Sequence, residues 1–121
     1  MAVILFCEDE HVIRTTTTRM LEELGHKVII AVNGAQALAR YRESSKEIDA
    51  VILDNLLPDL TGYEVFKELK NINPEVRVIM CSGYSVGREY DMAREAGIRL
   101  FLFKPYTLEE LLEALQMVLN V

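Results

Sequence analysis

The chain has 121 residues, half of them hydrophobic, enough for one well-filled domain. Its formal net charge of −6 argues against a direct grip on nucleic acid, which needs clustered Lys and Arg against phosphates. No apolar run approaches the ~20 residues that cross a bilayer, and the first six residues lack the basic region of a signal peptide, so a cytoplasmic setting without membrane contact is expected.

Residues 2–7 form a short apolar run, read as a first strand. Residues 10–24 carry Ile13, Thr17, Met20, Leu21 and Leu24 at helical spacing, and Gly25 stops that helix. Residues 27–31 are rich in β-branched side chains, hence a second strand. Asn33-Gly34-Ala35-Gln36 reads as an N-cap with Gln at the third helical position, opening a helix to about Glu43. Residues 50–53 make a third strand. Thr61-Gly62-Tyr63-Glu64 is a capping box whose helix runs to about Lys70. Asn73-Pro74 marks a loop before a fourth strand at 76–81, followed by a helix at 86–96 that Gly97 ends. Residues 100–103 form a fifth strand. Thr107-Leu108-Glu109-Glu110 is another capping box, opening a helix to about Leu119 with Leu108, Leu111, Leu112, Leu115 and Val118 on one face.

Five strands alternating with five helices require a parallel sheet with right-handed crossovers and helices on both faces. The expected fold class is α/β: a doubly wound five-stranded parallel sheet of order 2-1-3-4-5, flavodoxin-like. Ala50-Val51-Ile52-Leu53 reads as a strand buried on both faces. An ionised carboxylate is costly to bury without a partner, so Asp54 belongs at the carboxyl end of that strand, where the sheet opens its crevice. The strand order places the first strand beside the third, bringing Glu8 and Asp9 to Asp54. Ser82 ends the fourth strand and Lys104 follows the fifth, at the same edge.

Two carboxylates ~4 Å apart repel by a few kcal/mol at an effective dielectric near 20. Three of them need a cation, or some must take up protons. Oxygen ligands select a hard ion, Mg²⁺, Mn²⁺ or Ca²⁺, over Zn²⁺. Lys104 is the second available cation. A phosphoryl group, with roughly −1.5 to −2 charge and three acceptor oxygens, would suit this set. A metal could meet one oxygen, the Lys104 ammonium a second and the Ser82 hydroxyl a third, with Asp54 as nucleophile.

The constellation resembles the receiver domain of two-component response regulators, of the chemotaxis-regulator type, and the resemblance covers residues 1–121 as a single receiver domain. The matching pieces are Cys7-Glu8-Asp9, then Leu53-Asp54-Asn55-Leu56-Leu57-Pro58-Asp59-Leu60-Thr61-Gly62, then Met80-Cys81-Ser82-Gly83-Tyr84, and Phe103-Lys104-Pro105-Tyr106. Any one piece is weak, whereas all four in order are specific. The resemblance implies Asp54 as phosphoacceptor, with Mg²⁺ (or Mn²⁺) held by Asp9, Asp54 and the Leu56 backbone carbonyl, and by Glu8 through water. It implies Ser82 as the switch hydroxyl, Lys104 as the phosphate-binding cation and Phe101 as the switch aromatic. The implied partners are a sensor histidine kinase or histidine phosphotransfer protein, and a downstream effector protein or domain. The effector reads a changed face made by helix 4, strand 5 and helix 5. Such a domain catalyses its own phosphorylation and dephosphorylation and is not a turnover enzyme on a separate substrate. The pair Glu8-Asp9 and the residue Leu57 are tolerated departures, and Phe101 lacks the hydroxyl of a Tyr. Leu56 and Tyr84 stand two residues beyond Asp54 and Ser82, where apolar bulk is expected to slow water reaching an acyl phosphate.

Other readings stand beside this one. Ser82-Gly83-Tyr84 and the helix after it resemble receivers attached to hybrid sensor histidine kinases, so an excised C-terminal receiver is an alternative. A phosphorylation-independent interaction module is another. A haloacid-dehalogenase-type phosphatase needs Asp-x-Asp after its first strand, where this chain has Glu8-Asp9-Glu10. A flavodoxin-like cofactor binder needs a phosphate cradle after the first strand, which is missing here. Phe101 reads equally as plain core. The outward members of Thr15-Thr16-Thr17-Thr18 read equally as partner surface or solvated face, and His11 and His26 as solvated. Cys7 and Cys81 end strands separated by a third, ~9–10 Å apart and beyond disulfide reach, so free thiols are expected.

Overall fold

A computed structural model describes residues 1–83 and 87–119. The elements are β1 (Val3–Cys7), α1 (His11–Glu23), β2 (Lys27–Ala31), α2 (Gly34–Ser44), β3 (Ala50–Asp54), α3 (Gly62–Ile72), β4 (Val78–Ser82), α4 (Arg88–Ala96), β5 (Leu100–Phe103) and α5 (Leu108–Leu119). All strand pairs are parallel, as the alternation of the sequence requires, and the order is β2-β1-β3-β4-β5, as expected for a doubly wound five-stranded sheet. Among the described residues no helix is long and apolar enough to cross a membrane.

Strand alternation sorts the apolar residues into two cores. Cys7, Leu53 and Met80 lie in register across β1, β3 and β4, and pack with Leu38 and Tyr41 of α2 and Val65, Phe66 and Leu69 of α3. Phe6, Ile52 and Ile79 face the other way, against Leu21 of α1 and Leu111, Leu115 and Val118 of α5. β3 and β4 are buried along their whole length, which is why they read as unbroken apolar runs. Cys7 and Cys81 belong to opposite cores, so the sheet itself separates them and both are free, as expected. Burial pushes both thiols up, Cys7 to about 12.

Most boundaries fall where the caps place them. Thr61 Oγ1 accepts from Glu64 N while Glu64 Oε1 accepts from Thr61 N, a complete capping box, and Thr107 and Glu110 repeat it at α5. At α2 the box is displaced by one residue: Asn33 Oδ1 accepts from Gln36 N, but Gln36 Oε1 takes Val32 N. Gly25 and Gly97 adopt positive φ after α1 and α4. β4 begins at Val78 rather than 76, because the turn at Asn73 captures the N–H groups of Glu75 and Val76. α3 continues to Ile72, one residue before that turn. The expected helix start at Val86 lies outside the described residues. His26 is not simply solvated, since its Nδ1 accepts from Ala2 N at 3.1 Å.

Gly62 fixes how α3 leaves the sheet edge. Its N–H donates to Asn55 O at 2.7 Å. A Cβ there would lie 2.7 Å from the Asp54 carbonyl oxygen and 2.7 Å from Met80 Sδ. Alanine favours a helix by up to ~1 kcal/mol over glycine, but the backbone at Asp54 cannot yield. Gly62→Ala is expected to lower stability by about 1–3 kcal/mol in urea unfolding. Gly83→Ala, where nothing lies within 4 Å, is expected to change it by less than ~0.5 kcal/mol.

Candidate metal and phosphoryl site

The carboxyl edge of the sheet gathers side chains from three strands. Glu8 N donates to Ala31 O at 3.1 Å, which carries the line of β1 one residue past Cys7 and turns the Glu8 side chain into the crevice. Glu8 is buried, and both its oxygens are engaged: Oε2 accepts from Glu10 N at 3.1 Å and Oε1 from Lys104 Nζ at 2.8 Å. The same Nζ lies 3.2 Å from Asp54 Oδ1. Asp9 is exposed beside them. One carboxylate oxygen from each of Glu8, Asp9 and Asp54 falls within 4.8 Å of the others.

Among the described residues the charges do not balance, because the three carboxylates share one ammonium. Burial, then the charge of Glu8, push the Asp54 carboxyl up to about 6 against the opposing pull of Lys104. Burial alone would lower Lys104, but its hydrogen bond to Glu8 and the charge of Asp54 outweigh that and hold it above the usual lysine value. A hard divalent cation fits the remaining deficit and the oxygen-only donors. A cavity of about 280 Å³ opens above the site, lined by Asp54, Asn55, Leu56, Gly83 and Lys104.

The described residues among those singled out from the sequence each have a definite place. Lys104 is aligned by its own backbone, whose N–H donates to Ser82 O at 2.8 Å. Ser82 is buried at the end of β4, one position past Cys81, the register partner of Asp54. Leu56 lines the cavity with its side chain largely exposed. Phe101 is half-buried on the α4 side, with Tyr90 at 4.6 Å and Phe103 stacked at 6.1 Å between ring centroids, so it is not brought to the carboxylates. Tyr84 lies outside the described residues.

Three supports carried no strong sequence signal. Arg14, one turn into α1, donates from Nη1 to the carbonyls of Glu8 and Asp9, both at 3.0 Å, and so pins the acidic turn. An arginine a turn after an acidic pair was the readable hint. Thr17, the buried member of the threonine run, hydrogen-bonds the Tyr106 hydroxyl at 2.6 Å and ties α1 to the segment after Lys104. Asp59 reaches the start of α2, from a position 24 to 25 residues away in sequence.

The family model for the response regulator receiver domain matches residues 4–116. The chain belongs to that family. It is 35% identical over 118 residues to the chemotaxis protein CheY of Bacillus subtilis, covering 97% of each chain. It spans only 24% and 12% of the length of two other curated relatives. Among solved structures, a receiver domain protein from Clostridium thermocellum superposes with a TM-score of 0.93 at 31% identity, over 99% of this chain and 95% of that one. The receiver domain of the sensor histidine kinase PA1611 from Pseudomonas aeruginosa, solved with magnesium coordinated in its active site cleft, gives 0.90 at 28% identity, over 99% and 98%. The acidic cluster of this receiver therefore stands in a fold whose relatives include a magnesium-binding member.

The raised Asp54 pKa has a consequence for the cation-free protein. Unfolded, the carboxyl titrates near its ordinary 3.8; folded, near 6. Above about pH 6 the native state holds a buried, ionised carboxylate, and the cost fades as pH falls from 6 toward 3.8. In EDTA, Asp54→Asn is expected to stabilise the receiver at pH 7.5 by about 1–2 kcal/mol, after discounting the lost Lys104 contact and solvent screening. Thermal unfolding should show that gain shrinking by pH 5.

Proposed function

We propose that this receiver takes a phosphoryl group on Asp54 from a histidine of a sensor kinase or histidine phosphotransfer protein, and passes the change to a downstream effector. The observation that carries this reading is the Lys104 ammonium held between Glu8 and Asp54 with Asp9 alongside: a nucleophile, a cation and a ligand set at one cavity. Family membership supports it, since acceptance of a phosphoryl group is general to receivers.

Glu8, Asp9, Asp54 and the Leu56 carbonyl would hold Mg²⁺ or Mn²⁺, with Glu8 acting through water because both its oxygens are already engaged. When bound, such an ion supplies positive charge against the transferring group. Asp54 Oδ forms the bond to phosphorus as the phosphorus–nitrogen bond breaks, and the donor imidazole keeps the electron pair. Lys104 then exchanges its carboxylate contact for a phosphoryl oxygen, and the Ser82 hydroxyl receives another. Loss of that Lys104 contact at Asp54 is a local charge change that biases the α4–β5–α5 face, with Phe101 as its aromatic. The receiver acts on itself and does not turn over a separate substrate. The resemblance to the PA1611 receiver favours a second reading, that the chain serves as the receiver of a hybrid sensor kinase.

With Mg²⁺ and acetyl phosphate, the protein is expected to gain the mass of one phosphoryl group in intact mass spectrometry. Asp54→Ala should gain none; an equal gain in that variant would overturn the assignment. Replacing Leu56 and Tyr84 together with small polar residues is expected to shorten the phosphoryl lifetime several-fold, followed by the decay of the added mass.

A further inference from the structure

The first N–H groups of any helix lack intrahelical partners. In α2 the third of them, Gln36 N, is taken by the Asn33 cap at 2.8 Å. The first two, Gly34 N and Ala35 N, donate to Asp59 Oδ1 and Oδ2 at 2.8 and 2.9 Å. Asp59 is no part of α2. It sits at the tip of the loop between β3 and α3, so a single carboxylate joins two segments distant in sequence. The contact is charge-assisted and lies at the positive end of the helix dipole. Donation from Ala35 and Gly34 holds the Asp59 carboxyl below the usual carboxylate range.

The loop that carries Asp59 is closed on itself. Leu57 N donates to Leu60 O at 3.2 Å, Gly62 N to Asn55 O at 2.7 Å, and Leu56 pairs with Thr61 across it. Leu60 presses on the start of α2 so closely that a Cβ on Gly34 would lie 2.8 Å from Leu60 Cδ1. The tip is therefore docked on α2 while the near end, at Leu56, lines the cavity with Asp54 and Lys104.

We infer that Asp59 is a positioning residue for the cation site: by docking the 55–62 loop on the start of α2, it holds the Leu56 carbonyl in place and so sets the affinity for the divalent cation. The inference rests on the reading of that carbonyl as a metal ligand. Asp59 is exposed, so replacing it removes two hydrogen bonds without opening either core.

The test is Mg²⁺ titration followed by amide NMR on wild type, Asp59→Ala and Asp59→Asn, in about 0.5 M KCl to screen long-range charge. Hydrogen exchange at Gly34 and Ala35 is measured alongside. Both variants lose the same charge, but Asn keeps one acceptor oxygen. Asp59→Ala is expected to weaken Mg²⁺ binding by about three- to tenfold, below the ~10–100-fold typical of removing a direct partner of a metal ligand. Asp59→Asn should fall between Ala and wild type, with Gly34 and Ala35 amides deprotected most in the Ala variant. Equal affinities in all three proteins despite deprotected amides would overturn the inference, as would equal weakening by Ala and Asn. Absence of saturable Mg²⁺ binding in the wild type would instead remove the cation reading itself, and this inference with it.

Discussion

Everything at the carboxyl edge is organised by one shared ammonium. Lys104 Nζ lies 2.8 Å from Glu8 and 3.2 Å from Asp54, so one cation links the ends of β1 and β3 to the segment leaving β5. Without it, two buried carboxylates would face each other in a poorly solvated crevice, at a cost that grows as the effective dielectric falls. With it, the cluster is stable enough to fold yet still short of positive charge. That residual deficit makes the edge receptive to a metal ion and, through the same lysine, to an anionic group.

The surrounding architecture keeps this balance fixed. Parallel register puts Asp54 level with Cys81 and Leu102, so Lys104 emerges two positions further along and its long side chain spans the gap to the carboxylates. The backbone bond from Lys104 N to Ser82 O ties the height of the lysine to the end of β4. Arg14 does the same for the acidic turn, by gripping the backbone carbonyls of Glu8 and Asp9. The site is thus built mainly by backbone positions, and its side chains need only extend from them.

The sheet order and the meeting of Glu8, Asp9, Asp54 and Lys104 were legible in the sequence. Apolar runs mark doubly buried strands, and polar residues directly after them can only sit at strand ends. Caps at Asn33, Thr61 and Thr107 were legible because capping is local. The docking of Asp59 on α2 was not, since its donors are backbone N–H groups with no residue signature. The Thr17–Tyr106 bond was hidden for a related reason: 89 residues separate two hydroxyls that each look ordinary alone. β4 starts late because the turn at Asn73 holds N–H groups that an apolar pattern assigns to the strand. The orientation of Phe101 depended on Tyr90 and Phe103, neither of which the strand pattern ranks.

The two cysteines bear on how motion in this domain can be watched. Both thiols are buried, in separate cores, and resist ionisation, so neither offers a ready thiolate to an alkylating reagent. A new cysteine on the exposed face of α4 or α5 would be the reactive one without removing Cys7 or Cys81. The native sequence thus comes with a chemically silent background, ready for a single spectroscopic label.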